Sequence, residues 1–205
     1  MLTSRAGVTI NCDRGEKREP NSSLIQPGLI ATVNWMKNSN DPIFSRKERT
    51  LVDIGCGMYG SFFAEIFETQ VSGTHVHWVD REPRFISTLS KPAAFKHCAS
   101  AEMLPFQDKV FDLALVQGVQ ESGLSRFPSA FMQAGDPTGL QIAKESARVL
   151  SPGGLLMISF SHGTVDPKET LLTLREAGFA SISHIYRLVW YSGLPTDLYA
   201  CRKEA

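Results

Sequence analysis

No apolar run in the 205-residue chain approaches the ~18 residues that cross a bilayer, so no membrane-spanning helix is expected. The N-terminus lacks the apolar core of a signal peptide, and Asp13 and Glu16 are out of place in a transit peptide. Neither sign of charge is in excess. Lys+Arg and Asp+Glu both number 21, which argues against sequence-independent nucleic-acid binding, a function that rests on a basic surface. The four cysteines, Cys12, Cys56, Cys98 and Cys201, form no C-x-x-C pair. Free thiols in a reducing, cytoplasmic setting are expected rather than a disulfide framework. Internal repeats and low-complexity tracts are missing too. The length suits one domain with a full core and is short for two.

What is present is an alternation of short apolar runs and amphipathic stretches. Polar residues 1–22, broken by Pro20, read as a mobile arm or as a lid that orders over substrate. Pro27–Met36 reads as a helix, with Leu29, Ile30, Val33 and Met36 at helical spacing, ended by Asn38–Asp41 and blocked by Pro42. Strands are then expected at Leu51–Ile54, His75–Asp80, Ala93–Cys98, Phe111–Gln117 and Gly154–Phe160. Helices are expected at Ser61–Phe67, Pro83–Leu89, Pro137–Leu150 and Asp166–Glu176, and a closing hairpin at Ile182–Tyr191 and Leu198–Cys201. This order predicts an α/β fold, a doubly wound sheet with helices on both sides. Residues 1–45 form an N-terminal arm and cap helix in this reading, and 46–205 a cofactor-binding domain.

The first strand ends in Asp53-Ile-Gly-Cys-Gly-Met-Tyr-Gly. Glycines at such a strand-to-helix turn let the backbone pass under a ligand and adopt positive φ. Gly55, Gly57 and Gly60 also match the G-x-G-x-x-G spacing of dinucleotide sites, which hold a pyrophosphate on a helix N-terminus. S-adenosylmethionine has no phosphate and carries an ammonium and a sulfonium, so an acid two places before the first glycine suits it better. Asp53 is that acid. A plain turn with a surface aspartate is the alternative.

In open α/β sheets ligands sit at the carboxyl ends of the strands. Asp80, 27 residues after Asp53, closes the second strand and can accept two hydrogen bonds from a ribose diol; a helix N-cap is its other reading. Ser100-Ala101-Glu102 past the third strand can meet an adenine edge, with Leu104, Pro105 and Phe106 as walls. A loop with a hydrophobic anchor is equally consistent.

Taken in order, Asp53-Ile-Gly-Cys-Gly, Asp80, Ala101-Glu-Met-Leu-Pro-Phe, Phe111-Asp112 and Ala147-Arg-Val-Leu-Ser-Pro-Gly-Gly resemble the class I S-adenosylmethionine-dependent methyltransferases over about residues 48 to 160. The nearest subgroup is the small-molecule type whose third motif reads D-A-x-x-L-P-F. The resemblance implies a Rossmann-like, doubly wound seven-stranded sheet of order 3-2-1-4-5-7-6 with the last strand antiparallel. It also implies S-adenosyl-L-methionine as cofactor. The methionine end would lie near Asp53, Gly55, Cys56 and Gly57, and the ribose near Asp80 and Arg81. Adenine would meet Ser100, Ala101 and Glu102, with Gln117 and Gly118 beside the sulfonium. Ser100, whose hydroxyl is a weaker acceptor for the adenine amino group, stands where the subgroup usually has Asp.

Methyl transfer from sulfonium needs alignment and exclusion of water, and a base only where the nucleophile holds a proton of high pKa. His162 after the fifth strand and Glu121 after the fourth are the candidate catalytic residues, with Gln120 beside Glu121. His75 and His77 share a strand face without a third ligand, so no metal is expected. The fourth strand lacks the Asn/Asp-Pro-Pro-Tyr/Phe signature of nucleobase amino-methyltransferases. Phe127, Phe131 and Met132 in the long connection Gly118–Asp136 suggest a small, partly apolar acceptor, or core packing. An oxygen, nitrogen or carbon nucleophile is open, as are a macromolecular acceptor and a non-catalytic binding module.

Overall fold

The computed structural model describes residues 9–10, 41–57, 62–116, 137–161, 167–189 and 195–204. The expected helix Pro27–Met36 and the connection Gly118–Asp136 lie outside them. Seven strands are β1 (Arg49–Ile54), β2 (Thr74–Asp80), β3 (Lys96–Cys98), β4 (Phe111–Val116), β5 (Leu150–Ser161), β6 (Phe179–Val189) and β7 (Pro195–Lys203). They form one sheet in the order 3-2-1-4-5-7-6, and β7 runs antiparallel to both β5 and β6. The expected architecture therefore stands. One strand is additional: Thr9–Ile10 pairs in parallel with Arg187 and Leu188 at the β6 edge. A two-residue strand is too short to leave a period in the sequence.

Helices α1 (Pro42–Ser45), α2 (Phe62–Gln70), α3 (Pro83–Thr88), α4 (Pro137–Val149) and α5 (Pro167–Glu176) complete the described elements. Asp41, read from sequence as part of a helix end, is instead the N-cap of α1 and accepts the Ile43 N–H at 3.0 Å. Pro42 forbids a helix from running through it but favours one that starts there. The third strand is shorter than Ala93–Cys98, because Ala93–Phe95 closes a 3₁₀ turn on the Pro92 carbonyl.

Period-two alternation buries both faces of the sheet. Leu51, Leu113, Leu115, Leu155 and Met157 face Phe67 of α2 and Ile86 of α3. Val52, Ala114, Val116, Leu156 and Ile158 face Ile142 and Ala147 of α4 and Leu174 of α5. Each fully buried aliphatic side chain contributes about 1.5–3 kcal/mol.

The rings of His77 and His97 stack on the second face, Nδ1 of one 3.0 Å from Nε2 of the other, and Phe106 and Phe111 meet His77 edge-on. They are strand histidines packed among aromatic rings. Burial lowers the proton affinity of both, and for His77 the neighbouring His97 and His75 lower it further. The folded chain thus binds fewer protons than the unfolded one below the ordinary histidine value of ~6.5. Stability from the pair is full above that value and is lost as pH falls through the lowered folded value. Urea unfolding should show a lower midpoint at about pH 5.5 than at about pH 7.5, and His77→Phe should shrink the difference. Equal midpoints in the parent chain would contradict this account.

Candidate functional site

Two strand ends and the turn between them define the site. At the end of β1 the chain reverses through Gly55 and Gly57, with φ of 75° and 65°, a region where a Cβ is strained. The N–H groups of Gly55 and Cys56 both donate to the carbonyl of Val79, at 2.8 and 3.0 Å. That double contact pulls the glycine turn across the end of β2, where Asp80 is the next residue.

Asp80 holds the turn in place. Its Oδ2 accepts the Gly57 N–H and its Oδ1 accepts the Glu82 N–H, each at 2.9 Å. The N-cap of α3 is Glu82 rather than Asp80. The Asp80 carboxylate instead ties back onto the chain entering α3 and anchors the glycine loop. A carboxylate offers about four lone-pair sites, so roughly two remain for a diol. Asp53, one strand over, is fully buried. It is not the surface aspartate of a plain turn.

Cys56 is buried beside these acids, and its thiol is pushed well up by burial first and then by the charges of Asp53 and Asp80. A thiol raised in this way is a poor nucleophile. A Cβ built on Gly57 would meet nothing within 4 Å, so open space lies over the turn. A buried acid, an acid with spare acceptors and a bare glycine next to open space fit the ammonium, diol and nucleoside of S-adenosylmethionine.

The third strand end joins through the backbone. The Ala99 N–H donates to the Asp80 carbonyl at 3.0 Å, placing Ser100 beside the β2 end. Ser100 Oγ accepts the Glu102 N–H at 3.3 Å and lies 3.2 Å from Glu102 Oε2. The serine hydroxyl thus links to a carboxylate two residues on. Ala101 is half-buried, and Arg81 and Glu102 are exposed. The Leu104 and Phe106 side chains belong to the core, Leu104 with Val52, Ile54 and Val79, so they anchor the loop, and Pro105 is exposed. Gln117, Gly118, Glu121 and His162 lie outside the described residues.

Sequence reasoning gave no role to Glu145 and Arg148, which hold this loop from α4. Arg148 Nη2 and Nη1 donate to the carbonyls of Leu104 and Phe106 at 3.1 and 2.8 Å, while Glu145 Oε2 accepts the Leu104 N–H at 3.0 Å. Arg148 holds the Glu145 carboxyl below its usual range, and Glu145 and Asp108 raise the arginine in turn. The signal was there: Glu145 and Arg148 stand one helical turn apart next to the Ser-Pro-Gly-Gly motif. Among the described residues no three His, Cys, Asp or Glu side chains gather as a metal site, and no helix is long and apolar enough to cross a membrane.

A family model described as a methyltransferase domain matches residues 52–158, just over half of the 205 residues. Among solved structures, the YcgJ protein of Bacillus subtilis superposes with a TM-score of 0.61 at 13% identity, covering 88% of this chain and 99% of that one. An S-adenosylmethionine-dependent methyltransferase of Methanosarcina mazei gives 0.52 at 19% identity, covering 78% and 95%. The [4+2]-cyclase SpnF gives 0.57 at 13% identity, covering 92% and 85%. At such identities these likenesses show the fold. Among curated protein sequences no match reaches significance.

Proposed function

The chain belongs to the class I S-adenosylmethionine-dependent methyltransferases, and we propose that it transfers the methyl group to an oxygen, nitrogen or carbon nucleophile of a small molecule. The observation that carries the cofactor half of this reading is the Asp80 carboxylate, clamped to the Gly57 N–H and still offering acceptors over an open turn. When bound, the cofactor supplies a methyl group activated by its sulfonium, so displacement needs an aligned nucleophile.

The residues then divide the task. Asp53 balances the ammonium of the methionine end, and Gly55, Cys56 and Gly57 form the floor beneath it. Asp80 takes the ribose diol, with Arg81 at the rim. Ser100, Ala101 and Glu102 face adenine, and Gln117 and Gly118 flank the sulfonium. Glu121 orients the acceptor and His162 takes its proton where one must leave. Residues 1–45, as arm and cap, and the connection Gly118–Asp136 select the acceptor. A zero net charge favours a small acceptor over nucleic acid. The likeness to a cyclase supports a second reading, in which the same pocket binds the cofactor without spending its methyl group.

Calorimetry with S-adenosylhomocysteine tests the first step. The parent chain should bind it, and Gly57→Ala should bind at least about tenfold more weakly. Alanine at this positive φ costs about 1–2 kcal/mol, and its methyl group would occupy the cofactor's space without striking protein. No binding by the parent chain at about millimolar ligand would remove the cofactor reading. Incubation with methyl-labelled S-adenosylmethionine and a metabolite extract separates the two functions, since only the transferase labels a product.

A further inference from the structure

The loop from Ser100 to Asp108 follows the third strand end at the site. Residues 102–109 are stitched to α4. Gln141 Nε2 donates to the Glu102 carbonyl at 3.3 Å, and the Arg148 carbonyl accepts the Lys109 N–H at 3.0 Å. Between these points all five guanidinium N–H donors of Arg148 are used. Nε and one Nη2 hydrogen grip the two oxygens of Glu145, at 2.9 and 2.8 Å, as a bidentate pair. The other Nη2 hydrogen reaches the Leu104 carbonyl, and the Nη1 hydrogens reach the Phe106 carbonyl and Asp108 Oδ1, the last at 2.7 Å.

We propose that Arg148, braced by Glu145, is a positioning residue for cofactor binding: it sets the backbone of the Ser100–Asp108 loop so that Ser100 and Ala101 meet the adenine edge. The proposal rests on the cofactor reading above. The ion pair grips Leu104 from both sides, since Arg148 takes its carbonyl and Glu145 its N–H. Leu104 is buried and only two residues beyond the Ser100–Glu102 turn, so a shift of its peptide moves that turn. The Asp108 arm is exposed and contributes little, while Glu145 is largely buried and sets the geometry. A lysine cannot replace this fork, because its single ammonium cannot hold a carboxylate and two separate carbonyls in fixed directions.

The test compares S-adenosylhomocysteine with S-inosylhomocysteine, which differs at the base and lacks the exocyclic amine. The parent chain should prefer the adenine compound. Arg148→Gln should weaken that compound by about tenfold or more and bring the ratio of the two affinities close to one. Arg148→Lys keeps the charge beside Glu145 and should lose the ratio as well, so a poorly folding glutamine variant does not decide the matter. A role confined to stability would lower the melting temperature and leave the ratio untouched. Either folded variant discriminating as the parent does, or a parent chain indifferent to the base, overturns the proposal. A parent chain that binds neither ligand overturns the cofactor reading and this inference with it.

Discussion

Asp80→Asn is expected to weaken S-adenosylhomocysteine binding by about two orders of magnitude while the chain still folds. The side chain is isosteric but has one acceptor oxygen where the carboxylate has two. In the parent chain those oxygens separately accept the Gly57 and Glu82 N–H groups. Asparagine can satisfy only one of them and must turn its own N–H₂ toward the other. If Glu82 keeps the oxygen, the glycine turn loses its anchor. If Gly57 keeps it, the chain entering α3 does. In both cases the charge-assisted bonds that the proposed site would make to a ribose diol are lost, each worth about 1.5–3 kcal/mol. A total near 3 kcal/mol corresponds to about a hundredfold in Kd. Calorimetric titration beside a thermal melt reads the effect, and an unchanged Kd in the folded variant would remove Asp80 from the site.

The largest loss of stability is expected from Asp41→Ala, about 3 kcal/mol, or roughly 6–12 °C in melting temperature for a chain of this size. Asp41 is 7% exposed, and its two oxygens have different duties. Oδ1 caps α1 through the Ile43 N–H, a contact worth about 1 kcal/mol. Oδ2 pairs with Arg202 of β7, 161 residues along the chain, and Arg202 also donates to the Gly153 carbonyl. Removing the acid leaves a partly buried guanidinium facing a carbonyl with its carboxylate gone. Pairing Asp41→Ala with Arg202→Met should recover part of the loss, since no cation is then stranded. A melting temperature within about 2 °C of the parent for the single variant would show that the pair is too wet to matter.

Much of the fold was legible because its signals are local. Leu51-Val-Asp-Ile and Leu113-Ala-Leu-Val are apolar at successive positions, as strands buried on both faces must be. Pro83 and Pro137 open α3 and α4 as proline at a first turn does. Gly55 and Gly57 announced positive φ, and the structure has it at both. Leu104 and Phe106 were harder to assign. A Leu-Pro-Phe run past a strand suits a ligand wall and a core anchor equally, and only their packing decided for the core.

Sequence alone determined the alternation of strands and helices, the glycine turn and the acids at the ends of β1 and β2, because each follows from neighbours within a few residues. Tertiary structure decided what those groups hold: Asp80 on the Gly57 N–H, Arg148 across the loop from Leu104 to Asp108, Asp41 on Arg202, and Thr9–Ile10 on the β6 edge. These pairings join residues 23 to 178 positions apart, measured from Gly57 to Asp80 and from Thr9 to Arg187. No local preference encodes such a partner; the order of strands in the sheet brings it within reach.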